Sequence, residues 1–311
     1  MSLFFLILRN LKFYRKRHLA ILAGTVISTA VLTGALVIGD SVRYSLGQLS
    51  EIRLGKTRYA VQAGDRFFRQ QLANELSEHL KSPAAPVLQL EGIALNNDQD
   101  TRINRVEVLG IDDRFIKFWN SETPQPSDDE AILSRNTAIK LKLKPGDEFL
   151  VTFRLKVASI ADDMQMGRFS MKNNQTAPFN IFISLASMSR RVELNGNANL
   201  MLLAGKEIDN PSPAKLDSLL RLSWQPEDAG LEIKSLPGKQ SFEISSGRIF
   251  IEDNTAKAIE TAIPEAEAIF TYLVNDISSK GRSTPYSFVT AADFSGVQLP
   301  EKEILISNWL A

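Results

Sequence analysis

The sequence predicts an α+β domain carried behind a single N-terminal transmembrane helix. Three observations lead there. Residues 19–38 run for 20 positions without a charge. Five basic residues and no acidic one precede Asp40. Beyond that point strand and helix periodicities intermix without strict strand–helix–strand alternation, which favours α+β over a doubly wound sheet.

Residues 1–18 place Phe4, Ile7, Leu8 and Leu11 at helical spacing, with Arg9, Lys12, Arg15, Lys16 and Arg17 among or just after them. This reads as an amphipathic elbow helix lying at the cytoplasmic interface, its basic face toward anionic head groups. Residues 19–38 then have about the length needed to cross roughly 30 Å of hydrocarbon. A signal-peptide core is shorter, and the one passable cleavage site, Thr33-Gly34-Ala35, lies deep inside the run. A buried core helix would show a polar face, whereas this run offers only small hydroxyls. Ala20, Gly24 and Ser28 follow at steps of four, a small-residue face suited to packing against another membrane helix. The positive flank keeps the N-terminus in the cytoplasm and puts everything after Asp40 outside it.

Residues 39–56 continue the helical period through Val42, Leu46 and Leu49 as a stalk, with Gly55 as its C-terminal cap. The remaining residues, 57–311, form the extracytoplasmic body. "TRYAVQ" reads as a strand. "DRFFRQQLANELSEHL" reads as a helix capped by Asp65, with Phe68, Leu72, Leu76 and Leu80 on one face. "SPAAP" breaks the chain, and "VLQLEGIALNNDQDTRINRVEVLGID" is a hairpin. "DDRFIKFWN" is a short helix. "EAILSRNTAIKLKLKPGDEFLVTF" is strand, helix, Pro-Gly-Asp turn and strand. Residues 162–178 form a polar loop of a length associated with function. "FNIFISLASMSRRVEL" is a strand followed by a helix capped by Ser184, and "ANLMLLAG" is a strand. A helix in "NPSPAKLDSLLRLSW", short strands in 231–252, a helix in "NTAKAIETAI" and the strands "EAIFTYLVNDI" and "PYSFVTAAD" complete the order.

The chain has 311 residues, 44% hydrophobic, enough for one large or two ordinary domains. Of 36 basic and 36 acidic residues, five basic ones precede residue 40, so the body holds 31 against 36 and carries a net charge of −5. A mildly acidic body without a basic stripe speaks against nucleic acid. Thiol catalysis, cysteine-based zinc sites and disulfides are excluded, because there is no cysteine.

Other chemistry is sparse. His18 sits in the basic flank and His79 on an amphipathic helix, without partners for a catalytic site. Asp162-Asp163 and Asp128-Asp129-Glu130 lack metal-ligand spacing and read as solvated loops. Ser245-Ser246-Gly247 is not a nucleophile elbow. Trp119, Trp224 and Trp309 read as core or subdomain contacts. The loop of Met164, Met166, Gly167, Phe169 and Met171 could touch an apolar substrate, its thioethers adapting to varied surfaces, or be a mobile loop with incidental methionines. No catalytic, cofactor or metal residue is expected in this chain.

One internal similarity stands out. Residues 130–138, "EAILSRNTA", match residues 303–311, "EILISNWLA", at an offset of 173 that aligns Ser134 with Ser307. The second copy stops with the chain, so a longer protein is expected.

The basic elbow and span, "GDSVRYSL", "RLGKTRYAV" and "EAILSRNTAIKLKLKPGDEFLVTF" together resemble the FtsX/MacB/LolC permeases, the type VII ABC transporters. "TYLVNDI", "TPYSFVTAAD" and "EILISNWLA" resemble a longer-chain subgroup of them. The resemblance implies a MacB-like porter domain with an inserted smaller subdomain near residues 160–290. It implies three further membrane helices beyond residue 311, a second permease copy or homologue as dimer partner, and location in the bacterial inner membrane. No G-x-x-x-x-G-K-[ST] loop is present, so ATP and magnesium would be bound by a partner ATPase. ATP-driven closure of that partner would then move the outer domain through the stalk. Alternatives are a single-pass anchored sensor or ligand-binding domain, and an FtsX-like regulator of a cell-wall hydrolase.

Overall fold

Apolar runs that are buried on both faces organise an eight-stranded sheet. The structure, a computed structural model, describes residues 3–98, 100–119, 122–172, 176–205, 212–238, 241–248, 250–292, 300 and 303–308. Two compact units divide it, residues 1–231 and 232–311.

The first unit opens with α1 (Leu3–Phe13), a break at Tyr14, and α2 (Arg15–Leu54), a helix of 40 residues. The basic elbow residues are therefore shared between two helices, and the elbow helix ends at residue 13 rather than 18. Every residue of α2 up to Glu51 is exposed, as expected of a helix whose solvent is not protein. It is the one described helix long and apolar enough to cross a membrane. Thr25 and Thr29 donate their hydroxyls to Ile21 O and Thr25 O, both at 2.8 Å, so neither presents a bare polar group.

There follow β1 (Thr57–Gln62), β2 (Phe68–Arg69), α3 (Gln71–Leu80), β3 (Ala84–Asn96), β4 (Arg102–Ile111), α4 (Asp113–Lys117), β5 (Glu130–Ser134), α5 (Arg135–Leu141), β6 (Glu148–Val151) and β7 (Phe153–Ala161). Then come β8 (Asn180–Ser184), α6 (Leu185–Arg191), β9 (Asn197–Ala198), β10 (Leu200–Ala204) and α7 (Pro213–Ser223). Eight strands join in the order β1-β10-β3-β4-β8-β5-β7-β6. The end of β3 also pairs with β6, Ala94 opposite Val151, so six of the strands close on themselves. The pairs β4–β8 and β5–β7 are parallel and the others antiparallel, a mixed sheet in keeping with an α+β fold.

Side chains alternate across this sheet into two cores. Leu88, Val108, Leu133, Ile181 and Ile183 fill one. Val87, Leu109, Ile132 and Phe182 fill the other, with Phe115 from α4 and Phe169 from the loop after β7. Strands buried on both faces read as continuous apolar runs, which is why "NIFIS" and "AILS" show no polar alternation. A third cluster packs α3 and α7 against β10.

Several expectations need correction. Phe68 belongs to β2, opposite Ala198, and the helix begins only at Gln71. Its burial is real, but it comes from sheet pairing rather than the helix face. Strand β3 starts at Ala84 inside "SPAAP". Ser184 occupies the N-cap of α6 without a side-chain capping bond. Residues 160–231 belong to the first unit, with β8 and β10 inside its sheet, and the second unit begins at residue 232.

The second unit holds most of β11 (Leu231–Ser235), then β12 (Phe242–Ser246), α8 (Asp253–Ala262), β13 (Ile269–Ser279) and β14 (Arg282–Ala292). β11 pairs with β12, and β13 with β14. Lys280 and Gly281, at φ of 49° and 78°, make the two-residue turn of that last hairpin.

Candidate functional site

The last turn of α2 is where the apolar helix meets the core, and its geometry depends on one glycine. Gly55 has φ of 54° and ψ of −131°, a region essentially closed to other residues. A Cβ there would lie 2.6 Å from Phe118 O and 2.9 Å from the Trp119 ring. The close approach lets Lys56 N donate to Phe118 O at 2.9 Å. Trp119 Nε1 donates to Ile52 O at 3.0 Å, satisfying one of the carbonyls a helix C-terminus leaves open.

Aromatic packing fixes Trp119 in turn. Its ring lies 4.8 Å from Phe115 and 5.5 Å from Phe169, the latter edge to face. Phe115 and Phe182 continue the cluster into the sheet. Asp112 caps α4 by accepting from Arg114 N at 3.0 Å and Phe115 N at 3.3 Å, which holds the Phe115–Trp119 pair in place.

A second arm comes from the loop after β7. Arg53 donates to Ser170 O at 3.4 Å and to Lys172 O. Lys172 Nζ reaches Glu91 Oε1 on β3 at 2.5 Å and Glu107 Oε1 on β4 at 2.6 Å. One residue thus links the helix end, through its carbonyl, to two strands, through its ammonium. The hydrogen bonds that Lys172 donates to Glu107 and Glu91 raise its pKa, and the one accepted from Lys172 lowers that of Glu91. The loop itself is pinned by fully buried Asn180, whose Nδ2 donates to Gly167 O at 3.2 Å and Phe169 O at 2.8 Å. A Cβ on Gly167 would lie 2.7 Å from Asp162 O, so this turn also needs glycine.

The loop is consequently structural over part of its length. Met166 and Phe169 are buried in the core and cannot meet a substrate, whereas Met164 is exposed. Trp119 packs on the core, and it also contacts the helix through Ile52 O. Trp224 is 39% exposed, and Trp309 lies outside the described residues. The carboxylate loops pair with cations: Asp162 with Arg135, Asp163 with Arg168, Asp128 with Arg190 and Asp129 with Arg191. His79 falls in the last turn of α3.

At the other end of α2, Arg9 and Lys12 lie on α1, while Arg15, Lys16 and Arg17 form the first turn of α2. Leu3, Leu6, Ile7, Asn10, Leu11 and His18 line a groove of about 320 Å³ between the two helices. Ala20, Gly24 and Ser28 share one exposed face of α2, and a Cβ on Gly24 would meet nothing within 4 Å.

The junction is only half legible in the sequence. Gly55 is recognisable as a cap and Trp119 as a packed ring, but no local pattern pairs them across 64 positions. Arg53 and Lys172 give no signal, because Arg53 reaches backbone carbonyls and Lys172 reaches carboxylates 65 and 81 positions away.

A partly closed mixed sheet fused to the end of a long apolar helix defines a helix-tethered α+β domain. The family model described as "MacB-like periplasmic core domain" matches residues 19–215, from the apolar helix to the start of α7. The chain belongs to that family, whose members are extracytoplasmic domains of FtsX/MacB-type ABC permeases. Among solved structures, it is similar to the periplasmic region of MacB from Actinobacillus actinomycetemcomitans, with 13% identity over 67% of this chain and 92% of that one, at a TM-score of 0.39. It is also similar to the extracellular domain of the noncanonic ABC-type transporter YknZ from Gram-positive bacteria, with 10% identity over 60% of this chain and 100% of that one, at a TM-score of 0.38. Comparison with curated proteins gives no significant match.

Proposed function

We propose that this chain is the membrane permease part of an ABC transporter, passing the work of a partner ATPase to its extracytoplasmic domain for export or for handling lipoproteins and the envelope. The partner would bind ATP and magnesium. The N-terminus would lie in the cytoplasm, the helix in the bacterial inner membrane and the body outside. The observation that carries this reading is mechanical. α2 runs unbroken from Arg15 to Leu54 and ends in a junction tied to the sheet by backbone, indole and guanidinium contacts. A stiff rod fixed at one end transmits tilt, and a flexible tether does not.

The basic turn at the start of α2 supports the cytoplasmic half of the proposal. Three cations there oppose the helix dipole, at a cost of about 0.3–1 kcal/mol each at an exposed site. Their placement is explained by an anionic surface, either lipid or ATPase, rather than by helix stability. The face of Ala20, Gly24 and Ser28 would receive a helix of a second permease copy.

The test is Ser45→Pro, which removes a backbone donor and kinks the helix between bilayer and junction. In vesicles reconstituted with the co-purifying ATPase, the variant should bind that ATPase normally. ATP-dependent movement of the outer domain should fall at least tenfold. Undiminished movement would remove α2 from the mechanism. Failure of any ATPase to co-purify would favour the anchored sensor, and co-purification of a cell-wall hydrolase would favour the regulator.

A further inference from the structure

We infer that residues 212–230 form a strap that lifts off the core as one unit, with Arg69 as its latch. Closed, the strap covers an apolar face of α3; open, it bares that face. Such opening needs no ATPase and is separate from the proposed coupling.

Short-range bonds join the strap into one piece. Ser212 caps α7, its Oγ accepting from Lys215 N at 3.3 Å, and Pro213 opens the helix. After Ser223 the chain bends into a 3-10 turn at Pro226–Ala229. Gln225 N donates to Asp228 Oδ2 at 3.0 Å and Asp228 N to Gln225 O at 2.9 Å, a reciprocal cap. The family match ends at residue 215, in the first turn of α7, so nearly the whole strap lies beyond it.

What seats the strap is narrow. Among residues 212–230 only Ser223 and Asp228 are buried. Arg69 on β2 holds both. Its Nη2 donates to Ser223 O at 3.2 Å and to Asp228 Oδ2 at 2.8 Å. Its Nε and its backbone N donate to Asp228 Oδ1 at 3.1 Å and 2.8 Å. Nη1 reaches Glu75 Oε1 on α3 at 3.1 Å, which ties the latch to the helix being covered. The Asp228 carboxylate is fully buried, so removing its charge leaves the Arg69 cation short of its main partner. The Ser223 hydroxyl has no hydrogen-bond partner, so its burial adds no bond to the closed state.

Beneath the strap lies apolar surface. α3 packs between β3 and α7. Phe68, Leu72 and Leu76 are buried there, and Leu216, Leu219 and Leu220 of the strap rest half-buried on their cluster. Leu222 and Trp224 are exposed and add little. Few buried apolar contacts and one shared cation place the strap at the low end of local stability, whereas β8 is buried along its whole length.

The test is hydrogen exchange of the full chain in detergent, read at single residues across low urea concentrations. Amides of α7, Gln225 N and Arg69 N should open together and exchange at least tenfold faster than those of β8 and β10. Asp228→Asn keeps the shape and removes the charge; it should speed the strap amides at least tenfold further and leave β8 and β10 unchanged. In this cysteine-free chain, a thiol placed by Leu76→Cys should be alkylated at least tenfold faster once Asp228→Asn is added. Strap amides that open only with the sheet, α7 opening without Arg69 N, an Asp228→Asn effect absent or spread equally over β8 and β10, or no gain in alkylation would overturn the inference. The parent-chain exchange decides the matter even where a variant fails to fold.

Discussion

The hairpins β3–β4 and β13–β14 are built to the same plan and sit in opposite environments. The first is flanked by β10, β6 and β8 and buries both faces. The second pairs only with itself among the described residues and exposes Leu273, Tyr286 and Phe288. Pattern alone does not distinguish them, because Val, Ile, Leu and other large apolar residues occupy both. The difference lies in which neighbours arrive from elsewhere in the chain, and those neighbours set the energy each residue contributes.

A pair of truncations separates the two environments most strongly. Phe182 is a fully buried side chain between the sheet and α4. Phe182→Ala empties that site and should cost about 3–5 kcal/mol in urea unfolding of the detergent-solubilised chain. Leu273 is already half in solvent. Leu273→Ala should therefore cost less than about 1 kcal/mol. Equal costs would mean that the second hairpin is buried in solution. A smaller effect belongs to the junction, where a Cβ on Gly55 would press against Phe118 O. Gly55→Ala also places alanine in a closed backbone region, and should cost about 2–3 kcal/mol. Its specific signature is a change in Trp119 emission, which a change confined to the second unit would not produce.

The smallest effect is electrostatic. Glu91 has a depressed pKa and Lys172 a raised one. The glutamate's share of the clasp is therefore fully present above about pH 4.3 and is lost as pH falls through the lowered value. The lysine's share is present below about pH 10.4 and is lost as pH rises through the raised value. Exchange at residues 170–172 should be slowest between those limits, after correction for the intrinsic pH dependence. Both groups are nearly half exposed. Solvent screening then keeps the stability change below about 1 kcal/mol. Lys172→Met should flatten the profile.

Legibility followed the range of the interaction. Features carried by local patterns were readable: the uncharged run, the β3–β4 hairpin with its polar turn, and the Pro-Gly-Asp turn after α5. Phe68 was misplaced because its spacing to Leu72 and Leu76 fits a helix, while its real partner, Ala198, is 130 positions away. Met166 and Phe169 looked available because their neighbours are polar, and only Asn180, reaching back to Gly167 and Phe169, folds them inward. The division at residue 231 was missed for a similar reason. β8 and β10 join the sheet through partners far away in the chain, β8 beside β4 and β10 beside β1.

The apolar helix and the core meet in one rigid joint, and that joint can be measured. With no native cysteine, spin labels can be placed at Gln48 on α2 and Asp113 on α4 in the chain held in lipid nanodiscs. A rigid joint gives a single narrow distance distribution that broadens when Trp119→Ala removes the indole from Ile52. A distribution already broad in the parent chain, or unchanged by that substitution, would contradict it.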